Sequence, residues 1–332
     1  MNKIAIVILN WNGKAFLDKF LNSVVSNVDS SCTEVWVVDN GSTDLSVSFL
    51  KENFPLVKLI CFDKNYGFTG GYNKALAHIE AEYYVLLNND VEVTPNWIEP
   101  AVEYLDSNMH VAAVAPKIKS WNEKNKFEYA GAAGGFIDYL GYPFCRGRIL
   151  SSIEPDIGQY DNPVPVFWAS GACMFVRASV FHELGGFDNL FFAHMEEIDL
   201  CWRIKNAGYE VYCIPQSTVY HVGGGTLPNN NPNKIYLNYR NNLLLLYKNL
   251  SKKKKNITLF YRFFFDMTSI FMFMLQLKGS FSIAVLRAYI DFFRLKKNYI
   301  AIDSSRFKQH KEILNKSIVL NFFLRGKRNF FD

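Results

Sequence analysis

The residues best placed to do chemistry are Asn88-Asn89-Asp90, where Tyr83 to Leu87, a continuous β-branched and aromatic run, stops abruptly. Such a run fills a strand buried on both faces. In an open α/β sheet, ligands sit beyond the carboxyl ends of the strands. A carboxylate there can hold a divalent cation, and the cation can hold a diphosphate. Alone, Asn-Asn-Asp is as well explained as a turn, because these side chains bond their own backbone. Three further polar clusters also end apolar runs: Asn10-Trp11-Asn12, Asp39-Asn40-Gly41-Ser42 and Asn65-Tyr66-Gly67. One such cluster makes a turn, whereas four at successive parallel strands line a pocket with hydrogen-bonding groups.

A second acidic group, Glu196-Glu197-Ile198-Asp199 ahead of Trp202-Arg203, stands at the start of a helical pattern. Glu196 and Asp199 share one helix face and Glu197 points elsewhere. Acids at a helix start also complement its dipole.

The elements that must position these groups follow from periodicity. Ile4–Leu9, Glu34–Val38, Val57–Phe62, Tyr83–Leu87 and Val111–Ala115 read as strands. Helical spacing separates them over Lys14–Val25, from an Asp44 cap to about Asn53, over Thr69–Ile79, and from Pro95 onward. Strands alternating with helices imply a parallel sheet with right-handed crossovers. From Trp121 to Pro165 the pattern loosens into loops and short strands, and order returns over Val166–Val176. A short helix ends near Gly185-Gly186, another spans Met195–Asn206, and strands follow at Glu210–Ile214 and Ser217–Val222. The segment Gly223–Pro232 has the composition of a hinged lid, or of a plain linker, and the chain beyond it is helical and basic.

The 332 residues divide into a catalytic domain at 1–231, with halves at 1–117 and 118–231, and an aromatic-rich extension at 232–332. With 49% hydrophobic and 20% charged residues the chain is globular. The net charge of +5 hides an asymmetry: 16 Lys+Arg against 26 Asp+Glu before residue 232, and 20 against 5 from there on. No nucleic-acid reader motif accompanies the basic tail, so nucleic acid is not an expected partner; an anionic membrane surface suits its aromatic content. Phe260, Phe263, Phe264, Phe271 and Met274 would either pack on the body or lie in that interface. Six scattered cysteines without a Cys-x-x-Cys pair read as free thiols in a reducing compartment. The N-terminal apolar run is too short for a signal peptide, and the longest one, between Asp266 and Lys278, is too short to span a bilayer. The expected location is cytoplasmic, with peripheral contact to the inner face of the cytoplasmic membrane.

Ile-Val-Ile-Leu-Asn-Trp-Asn, Val-Val-Asp-Asn-Gly-Ser-Thr-Asp, Asn-Tyr-Gly-Phe-Thr-Gly-Gly-Tyr-Asn and Leu-Leu-Asn-Asn-Asp-Val, in this order, resemble family 2 glycosyltransferases of the GT-A fold. Over about residues 3–250 the chain is similar to their rhamnosyltransferase-like branch. The resemblance implies an α/β fold, a nucleotide-diphosphate-sugar donor (dTDP- or UDP-linked), a divalent cation (Mg2+ or Mn2+) and inversion at the anomeric carbon. Asp39 would bond the donor's base, with Leu9, Asn10 and Trp11 around it and Asn65, Gly67 and Asn73 near the nucleotide. Asn88, Asn89 and Asp90 match the family's Asp-x-Asp motif, with Asn88 in place of its first Asp. Asp90 would bind the metal, with His221 as second ligand. Glu197 matches the general base, beside Glu196 and Asp199, with Glu where the family usually has Asp. Ser170, Gly171, Trp202 and Arg203 would lie near the acceptor, a saccharide or lipid-linked saccharide. The branch points to dTDP-rhamnose and surface polysaccharide synthesis.

Two alternatives have distinct signatures. A nucleotidyltransferase would need a Gly-rich phosphate loop with a basic residue after the first strand, which Asn10-Trp11-Asn12-Gly13 does not supply. A sugar-nucleotide-binding or scaffolding protein without catalysis would not hydrolyse donor.

Overall fold

The computed structural model describes residues 2–223, 231–299 and 310–330. The expected lid at Gly223–Pro232 therefore lies largely outside the described residues. In chain order the first elements are β1 (Asn2–Asn10), α1 (Lys14–Ser26), β2 (Thr33–Asp39), α2 (Ser46–Asn53), β3 (Lys58–Cys61), α3 (Gly67–Leu76), β4 (Ala81–Asn88), β5 (Val91–Val93), α4 (Glu99–Ser107) and β6 (Val111–Ser120). Short strands follow: β7 (Gly135–Asp138), β8 (Pro143–Cys145), β9 (Arg148–Ile149), β10 (Ser152–Ile153) and β11 (Val164–Pro165). Next come β12 (Cys173–Arg177), α5 (Ala178–Glu183), α6 (Glu196–Ala207) and β13 (Glu210–His221). The tail holds α7 (Pro232–Asn249), α8 (Lys252–Leu275), α9 (Gly279–Leu295), β14 (Ile313–Leu314) and α10 (Ile318–Arg325).

The main sheet runs β11-β13-β6-β12-β4-β1-β2-β3, with β5 paired to β13. Its β4-β1-β2-β3 half is parallel, as the alternation of strands and helices requires. The other half is mixed: β12 runs antiparallel to both β4 and β6, while β13 is parallel to β6. The antiparallel β12 continues the all-apolar pattern of β4, and both faces of the sheet are covered. Ile6, Val85 and Phe175 lie in one core layer, and Val7, Leu86 and Met174 in the other. A second sheet, β10-β9-β8-β7-β14, is built from the loosely patterned stretch and one strand of the tail.

Several boundaries differ from expectation. Pro95 sits in a turn, and α4 begins at Glu99 with Pro100 in its first turn. The residues between form β5 and its turn, because Val91 and Val93 are needed to pair with β13. The two strands expected at Glu210–Ile214 and Ser217–Val222 are one, β13, with its register shifted between Ile214 and Thr218. α7 buries Leu243, Leu244, Leu245 and Leu246 in the main core. Among the described residues one helix, α8, is long and apolar enough to cross a membrane by length and composition, although its uninterrupted apolar run is too short to span one. An unbroken-run count stops at Asp266, but helix α8 carries that acid alongside Arg262, one turn away.

Candidate active site

Register alone brings the polar strand ends together. Asn10 lies beside Asp39 on β2, and Leu9 beside Asn88 on β4. Asn10 is the hub: its Nδ2 donates to Asp39 Oδ2 at 3.1 Å, and its Oδ1 accepts from Asn89 Nδ2 at 2.8 Å. Asp39 Oδ1 accepts the Ser42 N–H at 2.9 Å. These bonds fix a buried carboxylate that retains acceptor capacity, since a carboxylate offers about four lone-pair positions. Trp11 is exposed at the rim and Leu9 is half-buried below it.

The next strand end is tied in through Asn40, whose Nδ2 donates to Asn65 Oδ1 at 3.1 Å and to the Gly67 carbonyl at 3.0 Å. Gly67 has φ +75°, and a Cβ there would lie 2.5 Å from the Phe192 ring. The Phe192 carbonyl accepts the first free N–H groups of α3, from Phe68 at 2.8 Å and Thr69 at 3.2 Å. Asn73 bonds the backbone of Phe187 on both sides, donating to its carbonyl and accepting its N–H. It holds the 187–195 loop and places no free group toward a nucleotide.

β5 turns back from Asp90 to pair with β13, which sets His221 opposite Val91. His221 Nε2 lies 3.1 Å from Asp90 Oδ1, and its Nδ1 lies 3.5 Å from Glu128 Oε2. All three side chains are buried. Burial disfavours the imidazolium, but the charges of Glu128 and Asp90 outweigh it and raise the His221 pKa to about 10. Burial would likewise raise the Asp90 carboxyl, yet the His221 charge and hydrogen bond hold it below the usual range. Glu128, which sequence reading did not single out, lies in the loosely patterned stretch; its only signal is an acid just ahead of Tyr-Ala-Gly-Ala-Ala-Gly-Gly. A cleft beside the trio is lined by Glu128, Tyr129, His221, Gly223 and Lys234.

The donor set suits a divalent cation once the cation displaces the His221 proton: carboxylate oxygen from Asp90 and neutral imidazole nitrogen from His221. Among the described residues no group of three or more His, Cys, Asp and Glu side chains forms a complete metal cage. Two protein ligands fit a cation that completes its shell with substrate phosphates and water.

The acidic helix approaches the end of β4 through Gly171-Ala172, whose Ala172 carbonyl accepts the Asn88 N–H at 2.9 Å. A Cβ placed on Gly171 would lie 3.9 Å from Glu196 Oε1 and 3.9 Å from Glu197 Cβ. The Ser170 hydroxyl donates to the Ala130 carbonyl and accepts the Ala172 N–H, so it shapes the turn. The Glu128 carboxylate accepts the Ala130 N–H, which connects this turn to His221. The three acids differ sharply. Asp199 is buried, but Arg203 Nε and Lys248 Nζ at 2.8 Å and Asn249 Nδ2 at 2.9 Å surround it. Burial would raise its pKa, and these cations with their hydrogen bonds bring it below the usual range. Glu196 is buried and held well above the carboxylate range by burial and by the neighbouring Glu197 charge. Glu197 is half-buried, and burial, partly offset by backbone N–H groups at the helix start, pushes its pKa up to about 7. Glu197 is the least buried of the three and has a proton affinity suited to a base near neutral pH, with its Oε2 buried and unpartnered.

Trp202 is buried against Phe167 at a ring separation of 5.2 Å. Arg203 also donates to the Leu184 and Gly186 carbonyls at 2.7 Å. Trp202 and Arg203, expected near the acceptor, instead pack and bond within the body.

The segment before α6 is strained: Phe192, His194 and Met195 have φ of 64°, 70° and 70°. Each such residue costs about 1–3 kcal/mol and persists only when its surroundings hold it. Here Asn241 Nδ2 donates to the carbonyls of Phe191, Ala193 and His194 at 2.7–2.9 Å. Arg240 donates to those of Leu190 and Phe191 at 3.0 Å. Neither was expected in the site, and their signal is Tyr-Arg-Asn-Asn ahead of a leucine run.

The mixed sheet, parallel in one half and flanked by helices, has the GT-A fold of solved glycosyltransferases. Residues 5–185 match the model of "Glycosyl transferase family 2", and the chain belongs to that family. It is 26% identical over 241 residues to the N-acetylglucosaminyl-diphospho-decaprenol L-rhamnosyltransferase of Mycobacterium tuberculosis, covering 66% of this chain and 75% of that one. It is 24% identical over 225 residues to the rhamnosyltransferase WbbL of Escherichia coli, covering 66% and 83%. Among solved structures, the mannosyltransferase PcManGT of Pyrobaculum calidifontis, in complex with GDP-Man and Mn2+, aligns with a TM-score of 0.54 at 13% identity, covering 89% and 79%.

Proposed function

We propose that this glycosyltransferase moves rhamnose from dTDP-rhamnose to a hydroxyl of a lipid-linked saccharide during surface polysaccharide synthesis, with inversion at the anomeric carbon. What supports the reading is a chain of contacts: Asn89 joins the Asn10–Asp39 pair to the neighbouring Asp90–His221 pair, and Gly171-Ala172 lies between Asn88 and the half-buried Glu197. The rhamnosyltransferase relatives support the choice of sugar, and the first of them is named for a diphospho-polyprenol acceptor.

In this reading Asp39, oriented by Asn10 and Ser42, accepts from the donor's base, and the Asn65–Gly67 turn flanks the nucleotide. Asp90 and His221 would hold the divalent cation, Mg2+ or Mn2+, which neutralises charge on the departing diphosphate. Glu197 takes the acceptor hydroxyl's proton as that oxygen bonds to the anomeric carbon from the face opposite the diphosphate. The bond to the diphosphate oxygen breaks with its electron pair leaving on that oxygen. Asp199, surrounded by three donors, positions the helix and takes no proton. The enzyme works on the cytoplasmic side of the membrane, where nucleotide sugars are made.

A panel of nucleotide sugars, scored by thermal shift with and without Mn2+, tests this assignment, because a ligand that binds only the folded state raises the melting temperature. The largest cation-dependent shift should come from dTDP-rhamnose. A larger shift from a UDP- or GDP-sugar would replace the donor, and no shift from any would remove the nucleotide site.

A further inference from the structure

α8 is built inside out. Its buried stripe is polar except at its end: Lys255, Thr258, Arg262 and Asp266 precede Ile270, and Arg262 and Asp266 are 2% and 0% exposed. Arg262 donates to the Leu140 carbonyl at 3.0 Å, to Asn242 and to Asp266, and its guanidinium lies 4.0 Å from the Tyr142 ring centre. Tyr142 and Tyr289 each donate to Asp266, at 3.2 and 2.8 Å. The opposite stripe is apolar and faces outward: Ile257, Phe260, Phe264, Phe271 and Leu275, with Phe260 61% and Leu275 63% exposed. At helical spacing these five fall on one face. α9 continues the surface with exposed Ile283, Leu286, Ile290 and Phe293, and Leu277 between the two helices is 94% exposed. A surface of this kind marks an interaction site.

We propose that the α8–α9 hairpin docks on an anionic lipid bilayer, with α8 lying in the plane of the interface. The charge around it selects this occupant. Residues 232–332 hold 20 Lys+Arg against 5 Asp+Glu, and Lys252, Lys253 and Lys254 are exposed where α8 begins. A second copy of this chain would bring the same positive charge face to face, whereas an anionic bilayer takes both the charge and the aromatics. Crossing the bilayer would strip Arg262 and Asp266 from partners on α7, α9 and the β7–β8 turn. Lying flat keeps those bonds and immerses only the outward stripe. The inference goes beyond the transfer reaction and would hold for a membrane-bound acceptor of any composition.

The test is flotation of the full-length protein with phosphatidylcholine vesicles lacking or containing phosphatidylglycerol, at low and high salt. One variant carries Phe260→Ser, Phe264→Ser and Phe271→Ser, and another carries Lys252→Gln, Lys253→Gln and Lys254→Gln. The wild type should bind the anionic vesicles, less at high salt. The aromatic variant should lose affinity on the order of a hundredfold, and the lysine variant about tenfold or more. Transfer to a soluble saccharide acceptor should be the same for all three proteins. Binding that is equal on neutral and anionic vesicles, or unchanged in both variants, overturns the proposal. So does a dimer in solution that the aromatic variant dissociates while vesicles are ignored. Loss of transfer activity in the wild type, with vesicle binding intact, would count against the proposed reaction and leave this surface standing.

Discussion

At the scale of single residues, three acids one helical turn apart are given different work by what surrounds them. Asp199 is balanced by the Arg203 and Lys248 charges and an Asn249 hydrogen bond, while Glu197 is raised by burial and its charge in turn raises Glu196. A base must be deprotonated to act, so transfer under saturating donor and cation should rise with pH through about 7 and level off above it. A pH–rate profile checks this, and a flat profile between pH 5 and 8 would contradict it. The same shift has a sign for stability. The folded carboxyl holds its proton to about pH 7 while the unfolded one releases it at its ordinary value of 4.5, so this group costs stability as pH rises across that interval. Glu197→Gln should therefore melt higher than wild type at pH 8 and no higher at pH 4, as calorimetry would show. At the metal pair, Asp90→Ala should abolish cation-dependent turnover, and His221→Ala should raise the cation concentration needed for half-maximal rate. Unchanged cation dependence in both would dismiss the pair. The strand-end residues were legible because they interrupt apolar runs. Glu128 was not, since its meeting with His221 depends on a fold-back of chain that carries no period.

At the scale of elements, the 187–195 loop joins the two halves of the site. It covers the start of α3 through the Phe192 carbonyl, and it delivers α6 through three left-handed residues. Gly67 is required because a side chain there would strike Phe192. The clamp on this loop comes from α7, which lies after the catalytic elements in sequence. Asn241→Ala removes the side-chain donor shared by the Ala193 and His194 carbonyls, while the Phe191 carbonyl keeps Arg240, a loss of about 1–3 kcal/mol. It should lower kcat between about tenfold and a hundredfold through misplacement of Glu197, with donor affinity nearly unchanged. Steady-state kinetics beside donor titration separates the two, and a loss confined to donor affinity would contradict the clamp. Periodicity placed α1 almost residue for residue and the buried centre of β4, which extends two residues earlier and one later. It did not place β5 or the single long β13, because both exist to satisfy one another's edges rather than any local preference.

At the scale of the whole molecule, an acidic body carries a basic helical tail that is not an appendage. α7 fills the core with its leucines, and α8 turns its polar stripe inward onto Tyr142 and Asn242. The charge asymmetry was visible in the sequence, but the direction of the aromatics was not. A helix whose two faces differ in this way has the same periodicity whichever face meets the body, and the choice is made by partners such as Tyr142 and Tyr289 on other elements. Proton removal by Glu197 during inverting transfer can be read in a single turnover. Wild type and Glu197→Gln would be compared with dTDP-rhamnose and divalent cation saturating, with the anomeric configuration of the product determined. The expected result is an inverted product, formed at least about a hundredfold more slowly by the variant at unchanged donor affinity. A retained configuration, or a Glu197→Gln variant as fast as wild type, would contradict the account.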